Sequence, residues 1–192
     1  MNIDRSEGYD GIAEQFMAAR RNIGASFVLS WARNNLPQAG SVIDVGCGSG
    51  VPITQVLVEE GFEVFGVDAS PTLLAAFRRR FPHVRTACEA AQDSAFFNRT
   101  FDAAVSIGLL FLLSEDDQER VIHRVAGSLR AGGRFLFSAP RERCEWQDIL
   151  TERPSRSLGE KEYERILQAS GLCLVRCHQG ENHFFDAAKP LL

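Results

Sequence analysis

The sequence predicts an α/β fold in three layers: a mostly parallel sheet of seven strands between helices, with the last strand antiparallel. Three observations carry this. Short apolar runs alternate with amphipathic stretches from about residue 40 onward, the pattern of strand–helix–strand units covered on both faces. A glycine-rich turn follows the first apolar run and leads into a helix. The series then finishes with a helix and two adjacent strand-like runs, which fit a sheet closed by an antiparallel hairpin.

The elements follow in order. The first forty residues read as helix, with Ile12, Phe16 and Ala19 on one face and Phe27, Val28, Trp31 and Ala32 on another. Asn34, Asn35, Pro37 and Gly40 break that pattern. Strand-like runs are predicted at 42–45, 63–67, 84–87, 101–107, 134–138, 172–177 and 183–186. A helix over 53–60 has Pro52 in its first turn and Gly61 just past its end. A second, over 71–80, has Ser70 as cap and Pro71 at its first position. A third starts at Ser114, carries Glu115, Asp116 and Asp117 where the helix dipole favours acids, and runs to Gly132 and Gly133. The stretch 141–157 reads as irregular, polar and rich in arginine, and a last helix is expected over 160–170.

A chain of 192 residues suits one domain. Its 45% hydrophobic and 24% charged residues are values of a globular protein with a packed core. The net charge of -4 argues against a nucleic-acid partner, which requires a basic footprint, and against an anionic membrane surface. The sequence shows no basic-then-apolar leader and no uninterrupted apolar window of spanning length, so a cytoplasmic protein is expected. The five cysteines are odd in number and irregularly spaced, as reduced thiols are. Cys173 and Cys177 lie near His178 but within a strand-like run, and no metal site is expected.

The informative motif is Asp44-Val-Gly46-Cys47-Gly48-Ser-Gly50, between a strand and a helix. Glycines there let the backbone pass close to a ligand. Val51 stands where a dinucleotide fingerprint would place its last glycine, which favours a ligand without a pyrophosphate. Asp68 ends the second strand, where an acid accepts hydrogen bonds from ribose hydroxyls; Ala69 and Ser70 follow, with no arginine for a ribose phosphate. These features oppose a nicotinamide-dependent oxidoreductase.

With Gly66-Val-Asp68-Ala-Ser, Phe101-Asp-Ala-Ala-Val-Ser and Leu129-Arg-Ala-Gly-Gly-Arg-Phe-Leu-Phe, the motif resembles the class I S-adenosylmethionine-dependent methyltransferases over roughly residues 40–140. The resemblance implies a Rossmann-like fold, with 1–40 a helical cap, 41–140 the cofactor-binding core, and 141–192 the substrate-side segment, last helix and final hairpin. It implies that Gly46, Cys47, Gly48 and Gly50 wrap the methionine part of S-adenosylmethionine, with Asp44 near its ammonium group. Asp68 would hold the ribose, Ala69 and Ser70 would flank the adenine, and Glu89 and Ala90 would meet its edge. Glu89 is a departure, since the family often has aspartate there. Ser106, Ile107 and Gly108 would lie beside the reacting methyl. Tyr9 and Arg20, in the amino-terminal segment that covers the cofactor in similar proteins, complete the cofactor set; for Arg20 a carboxylate contact and a solvated position are both open.

Methyl transfer from an activated sulfonium needs alignment more than a catalytic triad, and no triad is visible. No Asn-Pro-Pro-Tyr type motif follows the fourth strand. The expected partner is a small-molecule methyl acceptor presenting oxygen, nitrogen or sulfur, bound by Phe16, Phe111 and Trp146. His183 is the candidate general base, since its intrinsic pKa suits the task. The alternatives are a methyltransferase acting on tRNA or protein, and a non-catalytic S-adenosylmethionine-binding module. A monomer and a homodimer are both compatible with the sequence.

Overall fold

A computed structural model of the chain describes residues 4–19, 22–179 and 183–191. Among the described residues nine strands and six α-helices follow one another: α1 (Ala13–Ala19), α2 (Ala25–Asn35), β1 (Ser41–Val45), α3 (Ile53–Glu59), β2 (Glu63–Asp68), α4 (Pro71–Arg80), β3 (Arg85–Cys88), β4 (Phe101–Ser106), α5 (Glu115–Ser128), β5 (Leu129–Ser138), β6 (Cys144–Gln147), β7 (Pro154–Ser157), α6 (Glu160–Ala169), β8 (Cys173–His178) and β9 (Phe184–Ala188). Seven of the strands form one sheet in the order β3-β2-β1-β4-β5-β9-β8. Strands β1 to β5 pair in parallel, and β9 lies antiparallel between β5 and β8. The predicted seven-stranded sheet with an antiparallel last strand is therefore present.

Successive side chains of a strand face opposite sides, and this divides the core in two. Ile43, Val45, Phe65, Phe135 and Phe137 pack on one face with residues of α5 and α6. Val42, Val64, Val105 and Leu136 pack on the other with Val28, Trp31, Ile53 and Leu57 from α2 and α3. The helix starts follow their residues: Ser70 Oγ accepts from Leu73 N–H at 3.1 Å and Ser114 Oγ from Asp117 N–H at 3.2 Å.

Three local expectations need correction, and one short turn comes in addition. The amino-terminal region is two helices preceded by turns over 5–12, so Tyr9 lies in a turn. Helix α5 stops at Ser128, and β5 begins at Leu129. Gly132 and Gly133 therefore lie in a strand with a bulged register, because Leu129 and then Arg134 pair with β4. Leu110–Leu112 form a short 3-10 turn. The 141–157 stretch contains an ordered hairpin of β6 and β7. Its turn is closed by Asp148, whose Oδ1 accepts from Leu150 N–H at 3.1 Å and from Thr151 N–H and Oγ1–H at 2.7 and 2.9 Å. Local polarity hides such a hairpin, because a turn capped by its own aspartate needs no apolar periodicity.

The strand order reverses between β1 and β4, which run parallel to each other while their connections leave in opposite directions. In open α/β sheets the crevice outside the carboxyl ends of such strands is where ligands bind.

Candidate functional site

The glycine loop starts at that reversal. Gly46 and Cys47 N–H groups both donate to Val67 O, at 2.8 and 3.1 Å, which holds the loop against the end of β2. Asp68 completes the junction: Oδ2 accepts from Gly48 N–H at 2.7 Å and Oδ1 from Ser70 N–H at 2.8 Å. Each carboxylate oxygen keeps further acceptor capacity. Burial pushes the Asp68 carboxyl above the usual carboxylate range, against the pull of the Ser70 and Gly48 N–H groups.

A cavity of about 300 Å³ opens over this junction, within the size range of small-molecule sites. Its floor is Gly46, Cys47, Gly48, Asp68 and Ala69, and its far wall is Ile107, Gly108, Leu109 and Phe111. Its roof comes from the amino-terminal segment, through Tyr9 and Phe16, and from the β6–β7 turn, through Asp148 and Leu150. Tyr9 and Phe16 meet edge to face at 5.1 Å, and Tyr9 donates its hydroxyl to Asp148 Oδ2 at 3.2 Å. Arg153 pairs with Asp4 at 2.9 Å and Glu7 at 3.6 Å, and Asp10 accepts from Ser70 Oγ–H at 2.6 Å and Thr72 N–H at 2.9 Å. The roof is thus tied both to the hairpin and to the start of α4.

The floor suits a large polar ligand. A Cβ built on Gly48 would make only ordinary contacts, with Phe16 at 3.6 Å and Leu73 at 3.9 Å, so this backbone is not packed as Gly50 is. One built on Gly46 would come within 2.8 Å of Leu109. The Cys47 thiol is 8% exposed, and burial first, then the Asp68 and Asp44 charges, push it well above its ordinary pKa, so it is no nucleophile.

Several expected contacts are not brought to the cavity. Asp44 is buried and accepts from Thr54 Oγ1–H at 2.7 Å, bracing β1 against α3. Gly50 packs in the core, where an added Cβ would lie 2.6 Å from Phe81 and 2.8 Å from Phe77. Ser70 is taken up by the α4 cap and Asp10. Ser106 donates its hydroxyl to Val45 O at 3.0 Å, tying β4 to β1. Glu89 accepts from Ser94 Oγ–H at 2.6 Å, and neither it nor Ala90 lines the cavity; Ala91 and Gln92 do. That loop carries no repeating pattern, so its register was not legible. Trp146 stands behind the wall, its ring 5.4 Å from that of Phe111. His183 directly precedes β9 and lies outside the cavity lining, its Nδ1 buried with no hydrogen-bond partner among the described residues. Arg20 lies outside the described residues. The sequence reading missed Arg5, Ser6, Glu7 and Asp148, all in the lining. They sit in turns, and turn polarity alone does not distinguish a ligand wall from solvent.

Sheet order, glycine loop and the acid closing β2 define a Rossmann-like domain with a site at its switch point. Residues 42–133 match the methyltransferase domain family. The match spans 92 of the 192 residues, and with the sheet order it gives this core the likeness of a class I S-adenosylmethionine-dependent methyltransferase domain.

Two curated relatives show the spread of the group. The 18S rRNA (guanine(1575)-N(7))-methyltransferase of Saccharomyces cerevisiae is 29% identical over 128 residues, 60% of this chain and 46% of that protein. The glycine/sarcosine N-methyltransferase of Parasynechococcus marenigrum is 34% identical over 106 residues, 52% of this chain and 37% of that protein. The chain thus spans less than half the length of either relative. Among solved structures, the 1,6-didemethyltoxoflavin-N1-methyltransferase of Burkholderia thailandensis superposes with a TM-score of 0.77 at 21% identity, covering 97% of this chain and 87% of that one. Among the described residues no helix is long and apolar enough to cross a membrane.

Proposed function

We propose that the protein binds S-adenosylmethionine over the glycine loop and directs its methyl group to a small-molecule acceptor presenting oxygen, nitrogen or sulfur. The observation that carries this reading is the roofed cavity above Gly48 and Asp68. The cofactor supplies a methyl carbon on a sulfonium, already activated, so the chain's task is alignment and exclusion of water. In this reading Asp68 holds the ribose hydroxyls, Gly46 to Gly48 receive the methionine part, and Ala69, Ala91 and Gln92 border the adenine. Ile107 and Gly108 stand beside the reacting centre. Tyr9 and Phe16 cover it, and Phe111, backed by Trp146, forms the acceptor wall. Apolar walls of this kind keep bulk water from the transfer.

A small acceptor is favoured over RNA because, among the described residues, the lining holds the carboxylates of Glu7, Asp68 and Asp148 against the guanidinium of Arg5, whereas RNA contacts require clustered cations. The RNA reading rests on the yeast relative. Calorimetric titration with S-adenosylhomocysteine tests the cofactor reading, with micromolar binding expected. Methyl incorporation from labelled S-adenosylmethionine into small acceptors, compared with total RNA, tests the acceptor reading. Incorporation into RNA alone would refute it.

A further inference from the structure

We propose that the acceptor is a small amine on an apolar body, held by Asp148 together with Tyr9. This rests on the cofactor reading above and names the class of acceptor for the same cavity. Among the described residues of the walls, most charges already have a partner. Arg5 faces Asp93 at 3.5 Å, with its side chain 48% exposed. Glu7 faces Arg153 at 3.6 Å. Asp68 is engaged by the glycine loop and the start of α4. Asp148 remains, and it enters no ion pair among the described residues. Its Oδ1 is saturated by three donors of its own turn, whereas Oδ2 receives only the Tyr9 hydroxyl, at 3.2 Å. The cavity thus holds a fixed carboxylate with one oxygen able to accept more, in a partly desolvated setting where an opposite charge is strongly preferred.

The position of that carboxylate separates it from the cofactor floor. Trp146, two residues before Asp148, packs on Phe111, which leaves β4 on the far wall. Leu112, Leu113 and Leu150 add apolar side chains to the lining of the same cavity. An acceptor lying there meets a flat apolar wall and one anionic oxygen. An ammonium or amine N–H fits this site, and a carboxylate or phosphate is repelled by it. On transfer, the new carbon–nitrogen bond forms as the carbon–sulfur bond breaks, and the electron pair of the broken bond stays on sulfur. Before transfer the ammonium gives one proton to Asp148, which frees the lone pair that attacks the methyl carbon; Asp148 then passes that proton to solvent, and the methylated amine leaves as an ammonium.

The test compares three probes of one skeleton, 2-phenylethylamine, 2-phenylethanol and phenylacetate, titrated into the full chain saturated with S-adenosylhomocysteine. The amine is expected to bind at least about tenfold more tightly than the alcohol, one charge-assisted hydrogen bond's worth, with phenylacetate weakest. Asp148→Asn keeps the turn-closing oxygen and removes the charge; it is expected to bring amine and alcohol within about twofold while S-adenosylhomocysteine affinity stays unchanged. Tyr9→Phe, which leaves the charge in place, is expected to keep the amine preference and serves as the second variant. Amine binding no tighter than that of the other probes overturns the proposal. So does an amine preference that survives in Asp148→Asn, or an equal loss of S-adenosylhomocysteine affinity there, which would assign Asp148 to the cofactor. Failure of the unmodified chain to bind S-adenosylhomocysteine would instead overturn the cofactor reading, and the probes titrated alone would still report on Asp148.

Discussion

Gly48 and Gly50 are two residues apart in one motif, yet the structure gives them opposite work. Gly50 has φ +80, and a Cβ there would lie 2.6 Å from Phe81 and 2.8 Å from Phe77. Both rings are packed against each other at 5.2 Å, and Phe77 is fully buried, so neither can withdraw cheaply. Gly50→Ala therefore carries a left-handed backbone penalty of about 1–2 kcal/mol and an overpacking penalty of about 1–3 kcal/mol. Together they come to about 2–5 kcal/mol, a fall in Tm of roughly 4–20 °C for a domain of this size. Gly48 has φ +54, but a Cβ there would make only ordinary contacts, with Phe16 at 3.6 Å and Leu73 at 3.9 Å. Gly48→Ala thus carries only the backbone penalty, about 1–2 kcal/mol, and places its methyl group on the cavity floor. The assay is thermal unfolding paired with calorimetric titration of S-adenosylhomocysteine at a temperature where both variants are folded. Gly50→Ala should lose stability and keep affinity; Gly48→Ala should lose affinity well beyond its loss of stability. The reverse pattern, or a Gly50→Ala protein as stable as the parent, would refute the assignment of Gly50 to the core.

Asp68→Ala should weaken S-adenosylhomocysteine binding by about 1–3 kcal/mol, the cost of losing buried acceptors; an unchanged Kd in the folded variant would dispose of the ribose assignment. Tyr163→Phe removes a hydroxyl that donates to Gln118 Oε1 at 2.8 Å, leaving that buried oxygen short of a donor, and should cost about 1–3 kcal/mol in denaturant unfolding. His183→Ala should retain turnover, since the ring lies outside the cavity lining; a drop of tenfold or more, about 1.4 kcal/mol in the barrier, would restore it as a base. The Ser70 hydroxyl, then the Thr72 N–H, hold the Asp10 carboxyl below its ordinary value of 3.8. A lowered folded pKa means the docking of the roof is fully supported above that ordinary value and is lost as pH falls through the lower, folded one. Hydrogen exchange at the Thr72 amide should accelerate over that acid range and stay flat near neutrality.

The sheet was legible in the residues because its signal is local. Val42, Ile43 and Val45, or Val64, Phe65 and Val67, alternate with the period that sends side chains to two faces, and the turns between carry glycine, proline and serine caps. The glycine loop and Asp68 were legible for the same reason, being adjacent elements joined by short connections. What the residues alone did not settle is which members of a motif look into the cavity. Asp44, Gly50, Ser70 and Ser106 belong to the motifs but face structural partners: Thr54, Phe77, Asp10 and the Val45 carbonyl. Those directions depend on how the layers pack.

The roof lies still further from sequence reasoning. Tyr9 and Asp148 are 139 residues apart and form one hydrogen bond; Asp4 and Arg153 are 149 apart and form one ion pair. Each sits in a polar turn whose local pattern is that of any solvated loop. By itself the sequence determined the class of fold and the glycine loop with its acid at the end of β2. Only the tertiary structure decided which side chains roof and line the cavity above them, because contacts at such separations exist only once the whole sheet has formed.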